Sequence, residues 1–110
     1  MINKLKRLAA RFGFFGNEVL IHGMAFDGVK KSKALQAFYL NKNTEIEMFI
    51  LFEHLNYQTF IDAGAYFGYF SIYAKKLKPD ANVAAYEADI DNFNSLRHYI
   101  KVNNVTIDAE

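Results

Sequence analysis

A nine-residue segment that contains two glycines, residues 62–70, constrains the fold of this chain more than any other feature. The apolar run at residues 59–61 precedes it and has the composition of a short β-strand. After it, apolar residues between Phe70 and Leu77 recur at the i, i+3, i+4, i+7 spacing of a helix that buries one face. The segment therefore predicts a strand, a glycine turn and a helix in succession.

The two glycines indicate what this turn offers to a ligand. Gly64 can adopt a positive φ without strain and can allow close approach of backbone to a ligand, while Gly68 would allow the start of the helix to pack closely on the strand. We expect a backbone cradle shaped by Gly64, Ala65 and Gly68, with free N–H groups near a helix N-terminus. An anionic part of a ligand is favoured at such a position.

The residue at the end of the first strand selects among ligands. The dinucleotide pattern G-x-G-x-x-G, aligned on Gly64, would require glycine at Asp62 and at Phe67, and neither is glycine. The carboxylate of Asp62 would repel a pyrophosphate and attract an amine or a sulfonium. S-adenosylmethionine carries both of these cations, and its own carboxylate suits the helix N-terminus. The segment therefore favours S-adenosylmethionine over a dinucleotide.

A second acidic residue, Glu87, lies 25 positions after Asp62, at the end of a predicted strand over residues 82–86. In a β-α-β unit, an acidic side chain at this place accepts hydrogen bonds from the two hydroxyls of a ribose. The D-x-G-x-x-x-G pattern is a weak signal alone. The strand before it, the helix after it and the acid at the next strand end together make it a nucleoside-site prediction.

These segments resemble the FkbM-type methyltransferases, which are class I enzymes that use S-adenosylmethionine, mostly for O-methylation. The likeness covers about residues 45–106 and is carried by residues 60–71, 85–89 and 92–96 and by Asn103 and Asn104. Two positions depart from the usual pattern of the family: Tyr66 stands where asparagine is common, and Ala88 stands where proline is common. These departures affect the expected contacts with the methionine and adenine parts of the cofactor.

The resemblance implies further properties of the chain. Tyr66, Ala88 and an acidic residue matched by Glu45 would lie at the cofactor, and a small-molecule or glycan acceptor would receive the methyl group. It implies the N-terminal part of a Rossmann-like, doubly wound parallel sheet within a longer enzyme, because the acceptor pocket and general base of the family lie further along. No catalytic residue is identified. The alternative is a truncated, non-catalytic nucleotide-binding or assembly module that forms a homodimer along its open sheet edge.

The fold class expected is α/β, with a β/α extension over residues 1–58 and the first βαβα of the cofactor domain over residues 59–110. Apolar runs on both sides of Gly23 predict strands, and residues 34–40 fit either a strand or a helix. Thr44 and Glu47 have the spacing of a capping box, which predicts a helix with Thr44 as its N-cap and a stripe including Phe49 and Ile50 buried.

Downstream of the glycine turn, the pattern predicts the remaining elements. Pro79 ends the first crossover helix near Lys78. Asp89 or Asp91 caps a last helix, which buries apolar residues spaced three and four apart and ends at residues 103–104. A third strand begins at residues 105–107.

Composition excludes several other functions. The net charge is +1, far from the basic excess of a nucleic-acid-binding protein. The chain has no cysteine, which excludes disulfides and thiolate metal sites and agrees with a cytoplasmic location. Its three histidines are too scattered to predict a metal site, and no apolar run is long enough to span a membrane.

The first sixteen residues combine basic and apolar side chains, including Lys4, Leu5, Arg7 and Leu8. One interpretation is a short helix on a membrane surface. A peripheral helix or a frayed end is favoured, because one or two turns bury little area. The apolar part is too short and too charged for a signal peptide.

Overall fold

A computed structural model describes residues 17–110, so the predictions for residues 1–16 lie outside the described part of the chain. The chain divides into two compact units, of which the first ends at Thr44 and the second spans Glu45–Glu110. The helix that precedes the predicted cofactor strand lies in the second unit.

The first unit begins with a β-hairpin. Strands β1 (Val19–Ile21) and β2 (Met24–Phe26) pair antiparallel, with Ile21 opposite Met24. The two turn residues between them, His22 and Gly23, both have positive φ, as the tight turn of a two-residue hairpin requires. The predicted strands around Gly23 are thus confirmed.

A helix follows the hairpin and settles the open assignment of residues 34–40. After a 3₁₀ turn (Val29–Lys31), helix α1 (Lys33–Leu40) begins at Ser32, whose side-chain oxygen accepts a hydrogen bond from the backbone N–H of Leu35 at 3.2 Å. Leu35 and Phe38 are buried on the same face. A hydroxyl cap and an apolar pair three residues apart are features of a helix, not of a strand.

The second unit begins with helix α2 (Ile46–His54), and here the predicted capping box is wrong. The N-cap is Glu45, which has a left-handed φ of 57° and makes no side-chain capping bond. Thr44 lies one residue too early, because its backbone N–H closes a turn onto the carbonyl of Asn41 at 3.1 Å. Glu47 still lies in the first turn, where its charge complements the helix dipole.

The buried face of α2 also differs in part from the prediction. Phe49 is buried as expected, and Phe52 is buried beside it. Ile50 is half exposed, so the buried stripe runs along the i, i+3 row that starts at Phe49. Phe52 contacts Phe60 edge-to-face, with ring centroids 5.0 Å apart, which fixes α2 against the following strand.

The centre of the second unit is a parallel three-stranded sheet in the order β3-β4-β5. Strand β3 spans Thr59–Ala63, β4 spans Asn82–Tyr86, and β5 spans Asp108–Ala109. Helices α3 (Tyr69–Leu77) and α4 (Ile90–Val102) provide the two crossovers. The structure is therefore a mixed α/β arrangement compatible with part of a Rossmann-like sheet.

Most of these boundaries confirm the prediction, including the end of α3 before Lys78 and the N-cap of α4 at Asp89. Strand β5 begins later than predicted. The backbone N–H of Val105 still bonds to the carbonyl of Ile100 at 3.3 Å, and Asn104 has a left-handed φ of 52°. The chain is closing the end of α4 at these positions and pairs with β4 only from Asp108.

The helices of the second unit cover one face of the sheet. Val83 packs with Phe52 and Ala74, and Ala85 packs with Ala65 and Leu96. Side chains alternate along a strand, so these buried residues share one face. Right-handed crossovers between successive neighbouring strands place their helices on the same side.

The opposite face of the sheet is exposed. Ile61 of β3 retains 64% of its accessible surface, and the neighbouring Ala63 and Tyr86 are also exposed. Ala63 pairs with Tyr86 across the two strands, and both residues alternate along their strands with buried residues. Their side chains and that of Ile61 therefore lie on the uncovered face of the sheet. Within residues 17–110, no helix combines the length and the apolar content that crossing a membrane requires.

Candidate functional site

All of the predicted site residues except Glu45 lie in or beside the two loops that leave the carboxyl ends of β3 and β4. Parallel pairing aligns Asp62 with Ala85 and Ala63 with Tyr86, so that Glu87 directly follows the paired part of β4. The glycine turn leaves β3 at the same edge. Ligands of open α/β sheets bind outside the carboxyl ends of the strands, and the two acidic residues lie in that position.

The backbone of the turn is left-handed at three positions. The φ angles are 77° at Gly64, 57° at Tyr66 and 86° at Gly68. Glycine takes this conformation without strain, but a bulky aromatic residue does so only when its surroundings hold it there. Backbone strain of this kind concentrates at functional sites, which makes Tyr66 a notable feature of the turn.

The backbone N–H groups of the glycine turn are not free, which contradicts the expectation from the sequence. The backbone N–H groups of Gly64 and Ala65 both donate to the carbonyl of Tyr86, at 2.8 and 2.9 Å, and that of Gly68 donates to the carbonyl of Ala65 at 2.8 Å. The strand register brings the Tyr86 carbonyl within reach of the turn. These three backbone amides are therefore engaged within the protein and do not face an anionic group as expected.

Glu87 joins the glycine turn to the loop before α4. Its Oε1 accepts a hydrogen bond from the backbone N–H of Tyr66 at 2.9 Å, and its Oε2 accepts one from the backbone N–H of Asp89 at 2.9 Å. The first bond helps to hold Tyr66 in its left-handed conformation. An ionised carboxylate has about four acceptor positions, so Glu87 retains the capacity to accept further hydrogen bonds from a ligand.

Asp62 is nearly buried, with 9% of its surface exposed. Its Oδ2 accepts a hydrogen bond of 2.7 Å from the hydroxyl of Ser71, a fully buried residue in the first turn of α3. Ser71 is a residue of this site that the sequence motifs do not single out. The available signal is a small polar residue three positions before Ala74, on the same face of the predicted helix as this apolar residue.

The two glycines of the turn have different neighbours. A Cβ at Gly68 would lie 2.6 Å from Cδ1 of Leu96 and 3.3 Å from Cδ1 of Ile72. Gly68 therefore permits close packing against Leu96 of α4. The expected reason for this glycine, close packing of the helix start on the strand, differs from this contact. A Cβ at Gly64 would have no heavy atom within 4 Å, so the space in front of this residue is open.

Aromatic rings line the turn. The rings of Tyr66 and Phe67 stack with centroids 4.3 Å apart, and both rings contact Tyr69 edge-to-face. Phe67 also contacts Tyr99 of α4. Burial raises the pKa of Tyr69 above its ordinary value of 10.0, with smaller contributions from Tyr66 and Tyr99. Tyr66 itself is partly exposed and is the ring of this group most accessible to a ligand.

Ala88 and Glu45 differ in how they relate to this group. Ala88 lies between Glu87 and Asp89 and is exposed at the same loop. Glu45 is an exposed residue at the N-terminus of α2, so it belongs to a different element from the β3 and β4 ends that carry Asp62 and Glu87. Within residues 17–110, no group of three or more acidic or histidine side chains is arranged to hold a metal ion.

A scan of the chain against protein-family models finds no match, and no curated protein matches it. The chemistry of the residues at this sheet edge therefore carries the functional argument.

Proposed function

We propose that the second unit binds S-adenosylmethionine and that the chain acts in S-adenosylmethionine-dependent methyl transfer, in keeping with its resemblance to the FkbM-type enzymes. The observation that carries this proposal is the pair of carboxylates, Asp62 and Glu87, at the ends of adjacent parallel strands on both sides of a glycine turn. The open space in front of Gly64, in the turn that follows β3, supports room for a ligand at this edge of the sheet.

Asp62 is the residue expected to hold the amine of the cofactor. Its carboxylate is nearly buried, and one of its oxygens is engaged by Ser71. A buried carboxylate favours a cationic partner because the local dielectric strengthens their attraction. A phosphate-rich dinucleotide would place negative charge beside the same group, which supports the preference for S-adenosylmethionine.

Glu87 is the residue expected to bind the ribose hydroxyls. Its carboxylate is held in place by the N–H groups of Tyr66 and Asp89 before any ligand arrives. A preorganised acceptor loses less conformational entropy on binding than a mobile one. Ala88 and Tyr66 adjoin this carboxylate and would contact the nucleoside, whereas a role for Glu45 rests on the resemblance alone.

When bound, S-adenosylmethionine supplies a methyl group that its sulfonium activates for transfer to a nucleophile. The residues described here contribute binding and orientation of the reacting group. The resemblance suggests a small molecule or a glycan as the methyl acceptor.

Calorimetric titration with S-adenosylhomocysteine, with NAD as a competitor, tests this proposal. Asp62→Asn and Glu87→Gln should each weaken S-adenosylhomocysteine binding by about tenfold or more, the scale for the loss of a charged hydrogen-bond partner. Asp80→Asn is the matched control, because this exposed carboxylate precedes β4 at the opposite end of the sheet. The Asp80→Asn variant should bind S-adenosylhomocysteine with the same affinity as the unaltered chain.

Each outcome separates the candidate functions. Tighter binding of NAD than of S-adenosylhomocysteine, or no binding of S-adenosylhomocysteine, would refute the proposal. Equal losses in all three variants would show that the effect is not specific to the carboxylates at the site. Binding of S-adenosylhomocysteine without methyl transfer to any acceptor tested would favour the alternative, a non-catalytic nucleotide-binding module.

A further inference from the structure

Ser71 makes a hydrogen bond that a helical serine does not usually make. A serine inside a helix commonly donates to the carbonyl four residues earlier or faces solvent. Ser71 is fully buried, and its hydroxyl donates instead to Oδ2 of Asp62, nine residues earlier, at 2.7 Å. The bond therefore connects the end of β3 to the first turn of α3.

This bond determines the orientation of the Asp62 carboxylate. The terminal torsion of an aspartate is broad, so a carboxylate without a fixed partner samples many orientations. A short bond between a hydroxyl and an ionised carboxylate is charge-assisted and stronger than a neutral one. With Oδ2 engaged by a buried donor, Oδ1 is the oxygen available to a second donor.

We infer that Ser71 is a positioning residue that orients Asp62 toward the amino-acid end of the ligand and so selects nucleosides that carry an amine. This inference rests on the proposed function, because it names the ligand group that Asp62 receives. It adds a determinant of specificity outside the glycine turn. Glu87, at the end of the next strand, would bind the nucleoside end regardless of Ser71.

Two ligands isolate the effect of Ser71. S-adenosylhomocysteine carries the amino-acid end, and 5′-methylthioadenosine is a similar nucleoside thioether without it. In calorimetry, Ser71→Ala should weaken binding of S-adenosylhomocysteine by about tenfold and change binding of methylthioadenosine by less than about twofold. Ser95→Ala, which removes a hydroxyl from α4, is the matched control and should change neither affinity.

A double-mutant cycle then tests whether Ser71 acts through Asp62. In the Asp62→Asn background, Ser71→Ala should cause less than about a twofold further loss of S-adenosylhomocysteine affinity, because the carboxylate it orients is absent. Ser71→Thr retains the hydroxyl and should restore most of the selectivity for the amine. Urea unfolding of each variant confirms that the folded chain is titrated.

The outcomes divide clearly. Selective loss of S-adenosylhomocysteine affinity that disappears in the Asp62→Asn background supports the inference. Equal weakening of both ligands, or no change in either, overturns it while leaving the proposed function standing. Failure of the unaltered chain to bind either ligand overturns the proposed function together with the inference.

Discussion

Substitution of Gly68 by alanine tests the packing of the glycine turn directly. Gly68 has a φ of 86°, and an added Cβ would approach Cδ1 of Leu96 to 2.6 Å. Leu96 is fully buried, so its terminal methyl moves only by displacing its neighbours in the core. Two separate costs are therefore expected, one from the backbone conformation and one from the side-chain overlap.

The magnitude follows from adding these two costs. A non-glycine residue in the left-handed region loses about 1–2 kcal/mol. Overpacking of a filled core by one methyl group costs about 1–3 kcal/mol more. Gly68→Ala should thus lower the free energy of unfolding by about 2–5 kcal/mol, a large part of the stability of a small domain.

Gly64→Ala is the matched comparison for the same turn. Its φ of 77° imposes a similar backbone cost, but no heavy atom lies within 4 Å of the added Cβ. Its free energy of unfolding should fall by only about 1–2 kcal/mol. Urea titration followed by near-ultraviolet circular dichroism suits this measurement, because six of the seven tyrosines lie within residues 45–110.

The Leu96→Ala background provides the decisive check. Removing the Leu96 side chain eliminates the overlap, so Gly68→Ala in that background should cost only the backbone part, about 1–2 kcal/mol. The coupling between the two substitutions should then be about 1–3 kcal/mol. Equal stability of the Gly64→Ala and Gly68→Ala proteins would refute the packing argument, as would additive losses in the double variant.

Two further predictions concern side chains around the turn. Glu87→Gln should lower the free energy of unfolding by about 0.5–1.5 kcal/mol, and Glu87→Ala by about 1–3 kcal/mol, because the amide keeps one acceptor and alanine keeps none; equal losses in urea titration would contradict this. The raised pKa of Tyr69 means that its protonated form is favoured in the folded state. The unfolded chain loses this proton from about pH 10, so stability should fall as pH rises above that value. Tyr69→Phe should make that fall shallower, and an unchanged slope in urea titrations at increasing pH would count against it.

Much of the architecture around the site was predictable from local patterns. The strand at residues 82–86, the N-cap at Asp89 and the end of the helix before Lys78 each depend on a few neighbouring residues, and each is confirmed. Local signals failed where two conformations of a short segment compete. Thr44 and Glu47 have the residue types and spacing of a capping box, but the backbone N–H of Thr44 donates to the carbonyl of Asn41 in the preceding turn.

The hydrogen bonds at the site depend on the pairing of residues that are distant in sequence. Local patterns in the sequence are sufficient to predict that a glycine turn joins a strand to a helix and that acidic residues lie near the ends of two strands. Three hydrogen-bonded contacts are visible only in the folded chain: the Tyr86 carbonyl with the amides of the turn, Glu87 with the amide of Tyr66, and Ser71 with Asp62. These bonds depend on the register of β3 against β4 and on the placement of α3 over the sheet. Hydrogen bonds require separations near 3 Å, and positions fixed that closely arise from the packing of whole elements, not from the identity of the residues alone.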